Sequence, residues 1–90
     1  SILYTNHAVK QMFSRNISTQ DVEYGIENGE ELMNYPDDLP YPSKLLLCKI
    51  NFRPLHIVCS FIPETSSVII ITAYEPSTDI WENDFKTRKK

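Results

Sequence analysis

Three apolar, strand-prone stretches, Leu45–Ile50, Leu55–Ile62 and Val68–Tyr74, follow one another between Ser43 and Pro76 and predict three consecutive antiparallel strands. Asn51-Phe52-Arg53-Pro54 suits a tight hairpin between the first two, and Pro63-Glu64-Thr65-Ser66-Ser67 a longer loop between the second and third. Pairing Ile50 with Leu55 sets Lys49 opposite His56, Leu47 opposite Val58 and Leu45 opposite Ser60; pairing Ile62 with Val68 sets Ser60 opposite Ile70, Val58 opposite Thr72 and His56 opposite Tyr74. On that register one face carries Leu46, Cys48, Ile50, Leu55, Ile57, Cys59, Phe61, Ile69, Ile71 and Ala73, a core face. The other is apolar at Leu45, Leu47, Val58 and Ile70 and polar at one end, where Lys49, His56, Thr72 and Tyr74 converge. A cation, an imidazole and a phenol side by side make that end the candidate site.

The flanking sequence must cover or extend this sheet. Ile2-Leu3-Tyr4 predicts a short first strand, and Thr5 an N-cap for a helix over roughly His7–Phe13 with Ala8, Val9, Met12 and Phe13 facing inward. Ser18-Thr19-Gln20-Asp21 reads as a capping box inside an Ile17–Val22 hydrophobic staple, opening a second helix of about ten residues that stops at Gly29 as its C′ position. Val22 and Ile26 face the sheet from it. Glu30–Tyr35 is a further strand, whereas the three prolines between Pro36 and Pro42 exclude one there. Ser77 and Asp79 offer caps for a short last helix, Ile80–Phe85, with Trp81 and Phe85 packing together. The order is β-α-α, then an antiparallel sheet, then a terminal helix: an α+β two-layer domain over residues 1–85, followed by a basic tail, 86–90.

Charge changes this picture because of where it sits. Residues 1–85 hold five basic and twelve acidic side chains, a formal −7, and the tail returns +4. Such a body does not attract nucleic acid by bulk charge, so any RNA contact uses the tail and a local basic spot. Cys48 and Cys59 read as reduced core filler, and Asp37-Asp38 as turn carboxylates rather than a metal site; neither the two His nor the two Cys residues have zinc-ligand spacing. No cofactor or metal is expected. Without a bilayer-length apolar run or a signal peptide, the expected location is the cytoplasm, with no membrane partner.

Several strings together carry a resemblance: Tyr35-Pro36-Asp37-Asp38, Pro40-Tyr41-Pro42-Ser43, Leu45-Leu46-Leu47, Arg53-Pro54-Leu55-His56-Ile57-Val58, Ile70-Ile71-Thr72-Ala73-Tyr74-Glu75-Pro76, and Trp81 with Asp84-Phe85. His7-Ala8 with Arg15, and Asp21-Val22, fit the same pattern. The chain thereby resembles a family of small prokaryotic proteins known as a domain of unknown function, itself similar to the RelE/ParE/BrnT-like toxin superfamily. The resemblance implies a RelE-like fold and the toxin half of a type II toxin–antitoxin pair. It further implies a cytoplasmic, metal-independent mRNA endoribonuclease whose partners are RNA, including ribosome-bound mRNA, and a cognate antitoxin.

Metal-free RNA cleavage needs a base for the 2′-hydroxyl, an acid for the leaving 5′ oxygen and cations for the phosphorane. His56 with Tyr74 is the expected acid–base pair, and Lys49 and Arg53 the expected electrostatic catalysts. His7, Arg15, Thr72 and Arg88 are expected to bind substrate, Arg88 on condition that the tail folds back. Each has a plainer reading: His56–Tyr74 as a cross-strand hydrogen bond, Lys49 as a snorkelling surface lysine, His7 as a helix residue without a role, Trp81 as packing. The alternative function is a non-catalytic protein-interaction module, or a toxin with a protein target, whose partner covers Leu45, Leu47, Val58 and Ile70.

Overall fold

The computed structural model describes residues 1–90 as one α+β unit. The elements are β1 (Ile2–Tyr4), α1 (Asn6–Ser14), α2 (Thr19–Asn28), β2 (Glu30–Tyr35), β3 (Ser43–Ile50), β4 (Arg53–Ile62) and β5 (Ser67–Tyr74). They form a five-stranded mixed sheet in the order β1-β5-β4-β3-β2, antiparallel throughout except where β1 runs parallel to β5. One face is packed by the helices, α1 along β5 and α2 across β3 and β4. The core between them is built from Ala8, Met12, Ile17, Val22, Leu46, Cys48, Leu55, Ile57, Cys59, Ile70 and Ala73. Fully buried Leu55 and Ile57 each contribute about 1.5–3 kcal/mol of transfer free energy.

Both helix starts follow from their caps. The Thr5 hydroxyl accepts from the Ala8 amide and donates to the Ile71 carbonyl, so one side chain starts α1 and ties it to β5. Ser18 and Asp21 form the reciprocal capping box, and Ile17 and Val22 are buried beside it. The inward stripe of α1 is narrower than predicted: Ala8 and Met12 are buried, whereas Val9 and Phe13 face solvent. A nine-residue helix against a single strand buries only one i, i+4 row. Gly29 has an ordinary φ of −72°, so it is not a left-handed stop. A Cβ there would lie 2.4 Å from the Gly25 carbonyl oxygen, and close approach is its reason for being glycine.

Register departs from expectation in both hairpins, each time because of the turn. Asn51 and Phe52 both have positive φ, 52° and 69°, and form a two-residue loop that extends the ladder to Ile50↔Arg53. His56 therefore faces Leu47, not Lys49, and Lys49 faces Pro54; the expected Leu47–Val58 and Leu45–Ser60 pairs are likewise replaced, Leu45 facing Val58. Between β4 and β5, Ile62 pairs with Ser67, one residue off the expected partner, and a bulge beside Val58/Cys59 absorbs the difference. Beyond the bulge Val58↔Thr72 and His56↔Tyr74 stand as expected, while Ser60 faces Ile69. Ile70 consequently turns to the helix side, where it is fully buried. Ile69 and Ile71 leave the core face on which they were expected.

The second sheet face is covered by the C-terminal segment, which is not a helix. Asp84 accepts from the amides of Lys86 and Thr87 and from the Thr87 hydroxyl, and Phe85 has φ 58°, so the chain reverses. Trp81 then pairs with Arg88, and the Lys89 amide donates to the Ile80 carbonyl. A six-residue helix has too few internal hydrogen bonds to compete with this local side-chain turn. Residues 86–90 are thus not a free tail: Lys86 bridges to Glu30 of β2 at 2.9 Å. No helix is long and apolar enough to cross a membrane.

Candidate functional site

Between α1, the ends of β2–β5 and the C-terminal segment lies an open groove of about 470 Å³. One wall is a row along α1 and its C-cap, His7, Gln11 and Arg15, spaced i, i+4, i+8. The floor is the second sheet face at Met33, Tyr35, Leu45, Val58, Thr72 and Tyr74, and the far wall is Ile80, Trp81 and Arg88. Of the expected substrate-binding residues, His7, Arg15, Thr72 and Arg88 all line it, as does Tyr74.

Lys49, Arg53 and His56 do not line it. The two-residue turn places Lys49 on exposed strand opposite Pro54, two ladder positions beyond Leu47, the partner of His56. Arg53 is committed elsewhere: it bridges Glu75 at 2.8 Å and donates to the carbonyls of Arg15 and Asn16, fastening the β3–β4 turn to the α1–α2 junction. His56 is fully buried directly beneath the groove. Its Nε2 is 2.8 Å from the Phe85 carbonyl, its Nδ1 3.3 Å from the Tyr74 hydroxyl, and Trp81 meets it edge-on with ring centroids 4.6 Å apart.

That environment determines the proton positions. A carbonyl only accepts, so Nε2 carries the hydrogen; in the neutral ring Nδ1 is then an acceptor and Tyr74 donates to it. Burial pushes the His56 pKa below its ordinary 6.5, and the Phe85 carbonyl, which favours the charged ring, offsets only part of this. Burial likewise raises the Tyr74 pKa, Tyr35 adds to the rise, and Arg88 pulls it back. At neutral pH the pair is a neutral imidazole holding a protonated phenol. His56 acts on the groove only through Tyr74.

The charges at the groove mouth are unbalanced in a way the acidic body is not. Neither Arg15 nor Arg88 has a carboxylate partner; Arg88 lies 5.6 Å above the Trp81 ring as a cation–π pair. His7 makes no hydrogen bond to the protein. The carboxylate in the lining, Glu75, is bridged to Arg53. Two unpaired guanidinium groups and a free imidazole over a half-apolar floor suit an anion with an attached ring or aliphatic group.

Gln11 and the Phe85 carbonyl were not foreseen. The i, i+4, i+8 spacing from His7 to Arg15 was a readable sign for Gln11, whereas no local pattern announces that a backbone carbonyl 29 residues away in sequence will meet His56. The paired Asp37 and Asp38 are not among the residues that line the groove, and Asp38 accepts from the Ser43 hydroxyl. Cys48 and Cys59 are buried free thiols.

No curated protein and no solved structure matches the sequence. A family model described as a domain of unknown function (DUF4258) matches residues 4–75, from the end of β1 to just past β5, and this match over most of its length shows that the chain belongs to the DUF4258 family.

Proposed function

We propose that this protein is a RelE-like toxin of a type II toxin–antitoxin pair, a cytoplasmic endoribonuclease that cleaves mRNA without a metal ion in the α1–sheet groove. One observation carries the reading: the two uncompensated guanidinium groups of Arg15 and Arg88 and the free imidazole of His7 around Tyr74, in a body of formal charge −7. Arg15 and Arg88 hold the phosphodiester and oppose the charge that develops on its oxygens. His7 takes the 2′-hydroxyl proton as the O2′–P bond forms. The P–O5′ bond breaks, and the departing alkoxide, more basic than a phenolate, takes the Tyr74 proton as that hydroxyl gives up its hydrogen bond to His56 Nδ1. The products are a 2′,3′-cyclic phosphate and a 5′-hydroxyl.

The test is to express wild type, His7→Ala and Arg15→Ala in cells and map new RNA 5′ ends. Wild type is expected to create ends that His7→Ala reduces by roughly 10²–10⁴ in rate. Soluble wild-type protein that creates none refutes the ribonuclease reading, and a fully active His7→Ala refutes the base assignment.

A second reading, a protein-interaction module or a toxin with a protein target, is favoured by Phe13 and Phe52, which are 90% and 97% exposed. Phe52 holds φ 69°, a conformation costly for a bulky side chain, at the tip of the β3–β4 turn. An antitoxin is the expected partner under either reading.

A further inference from the structure

We infer that the groove is a two-part pocket for a single nucleotide, with the phosphate at the cationic rim and the base against the apolar floor under a wall supplied by Ile80. The inference rests on the proposed function for its site but not for its chemistry, since binding needs no cleavage.

Three observations lead to it. Exposed Arg15 and Arg88 line the groove from the end of α1 and from the C-terminal segment, while Met33, Leu45 and Val58 are neighbours across β2, β3 and β4. Leu45 and Val58 are direct cross-strand partners and Met33 pairs with Leu45 on the other side; Leu45 is 3% exposed, so the apolar surface open to a ligand is that of Met33 and Val58. Apolar side chains beside an anion site suit a base tethered to a phosphate better than inorganic phosphate or a small carboxylate. The volume, about 470 Å³, falls in the range of roughly 300–1,000 Å³ in which small ligands are held. Gln11, Thr72 and Ser77 supply amide and hydroxyl groups for base edges.

The far wall belongs to this chain rather than to the matched family region. Ile80 and Trp81 lie beyond residue 75, where the family match ends, and reach the groove only because the C-terminal segment folds back. Trp81 is buried against His56 and carries Arg88, so it is not free to stack on a base. Ile80 is 47% exposed, and is the side chain available to close over one. Ile80 is therefore expected to weigh on the base, and Arg15 and Arg88 on the phosphate.

Amide chemical-shift titrations of the full chain with inorganic phosphate, each nucleoside, and each nucleoside 3′-monophosphate test this. Monophosphates are expected to bind on the order of tenfold or more tighter than either fragment, with shifts at Gln11, Met33 and Thr72. Arg15→Ala is expected to weaken phosphate and nucleotide alike, Ile80→Ala to weaken nucleotide but not phosphate, and Lys10→Ala, on the same helix but outside the groove, to change neither. Phosphate binding as tightly as nucleotide, equal loss of both in Ile80→Ala, or no saturable shift below about 10 mM overturns the inference. Nucleotide binding by a protein that cleaves no RNA refutes the ribonuclease reading alone, and cleavage without nucleotide selectivity refutes this one alone.

Discussion

Replacing His56 by glutamine tests the proton assignment at the centre of the site. In the folded chain the ring is fully buried and neutral, its pKa pushed below 6.5, whereas in the unfolded chain it titrates near that value. Between the two pKa values the unfolded chain binds a proton that the native chain does not, so stability rises with pH through this window. The contribution of the neutral ring is therefore fully present above 6.5 and is lost as pH falls, levelling off below the folded pKa. Each pH unit by which the folded pKa lies below the unfolded one is worth about 1.4 kcal/mol. With an m value of about 1 kcal/mol/M for a chain of this size, each such unit lowers the urea midpoint by about 1.4 M. His56→Gln keeps a donor and an acceptor but has nothing to titrate, so its loss over the same interval is expected to be smaller by that amount. Every other titrating group is common to both proteins, which isolates His56. Equal pH dependence in the two proteins would refute the neutral, doubly hydrogen-bonded imidazole.

Three further perturbations address the frame around the site. Gly25→Ala puts a Cβ 2.4 Å from Ile57 Cδ1 and 2.9 Å from Cys48 Sγ; overpacking of about 1–3 kcal/mol is expected in urea unfolding, and wild-type stability would show that α2 shifts freely over β3 and β4. Trp81→Ala removes a buried side chain, 6% exposed, that pins the C-terminal segment. A loss of about 3 kcal/mol or more is expected by calorimetry, and a loss under about 1 kcal/mol would show that the segment undocks without unfolding the sheet. Arg53→Ala loses Glu75 and the carbonyls of Arg15 and Asn16; thermal unfolding is expected to show about 1–2 kcal/mol of destabilisation with nucleotide affinity retained, whereas lost affinity at unchanged stability would return Arg53 to the site.

The strands, both helices and their caps were readable because each rests on short-range signals. Apolar runs bounded by turns mark β3–β5, and Ser18 with Asp21 marks the start of α2 within four residues. The grouping of Thr72 with Tyr74, and of Tyr74 with His56, was readable too, because the bulge restores the alternation that the loop shifts. Lys49 was misplaced because the pairing depended on whether Asn51-Phe52 alone makes the turn, and two non-glycine residues at positive φ are a weak sequence signal. The terminal helix was misread because Asp84 served equally well as a helix residue or as the acceptor that turns the chain.

By itself, then, the sequence determined the strands, the first two helices and their order, most of the helix-side core on β3 and β4, and His7, Arg15, Thr72, Tyr74 and Arg88 among the side chains that line the groove. Tertiary structure alone decided that His56 lies under the groove rather than in it, that Arg53 is a fastening, and that the last fourteen residues form a wall. The physical reason is one of range. Propensity, alternation and capping act over a few residues, whereas register, a bulge and a fold-back contact between His56 and Phe85 are settled by the packing of distant segments against one another.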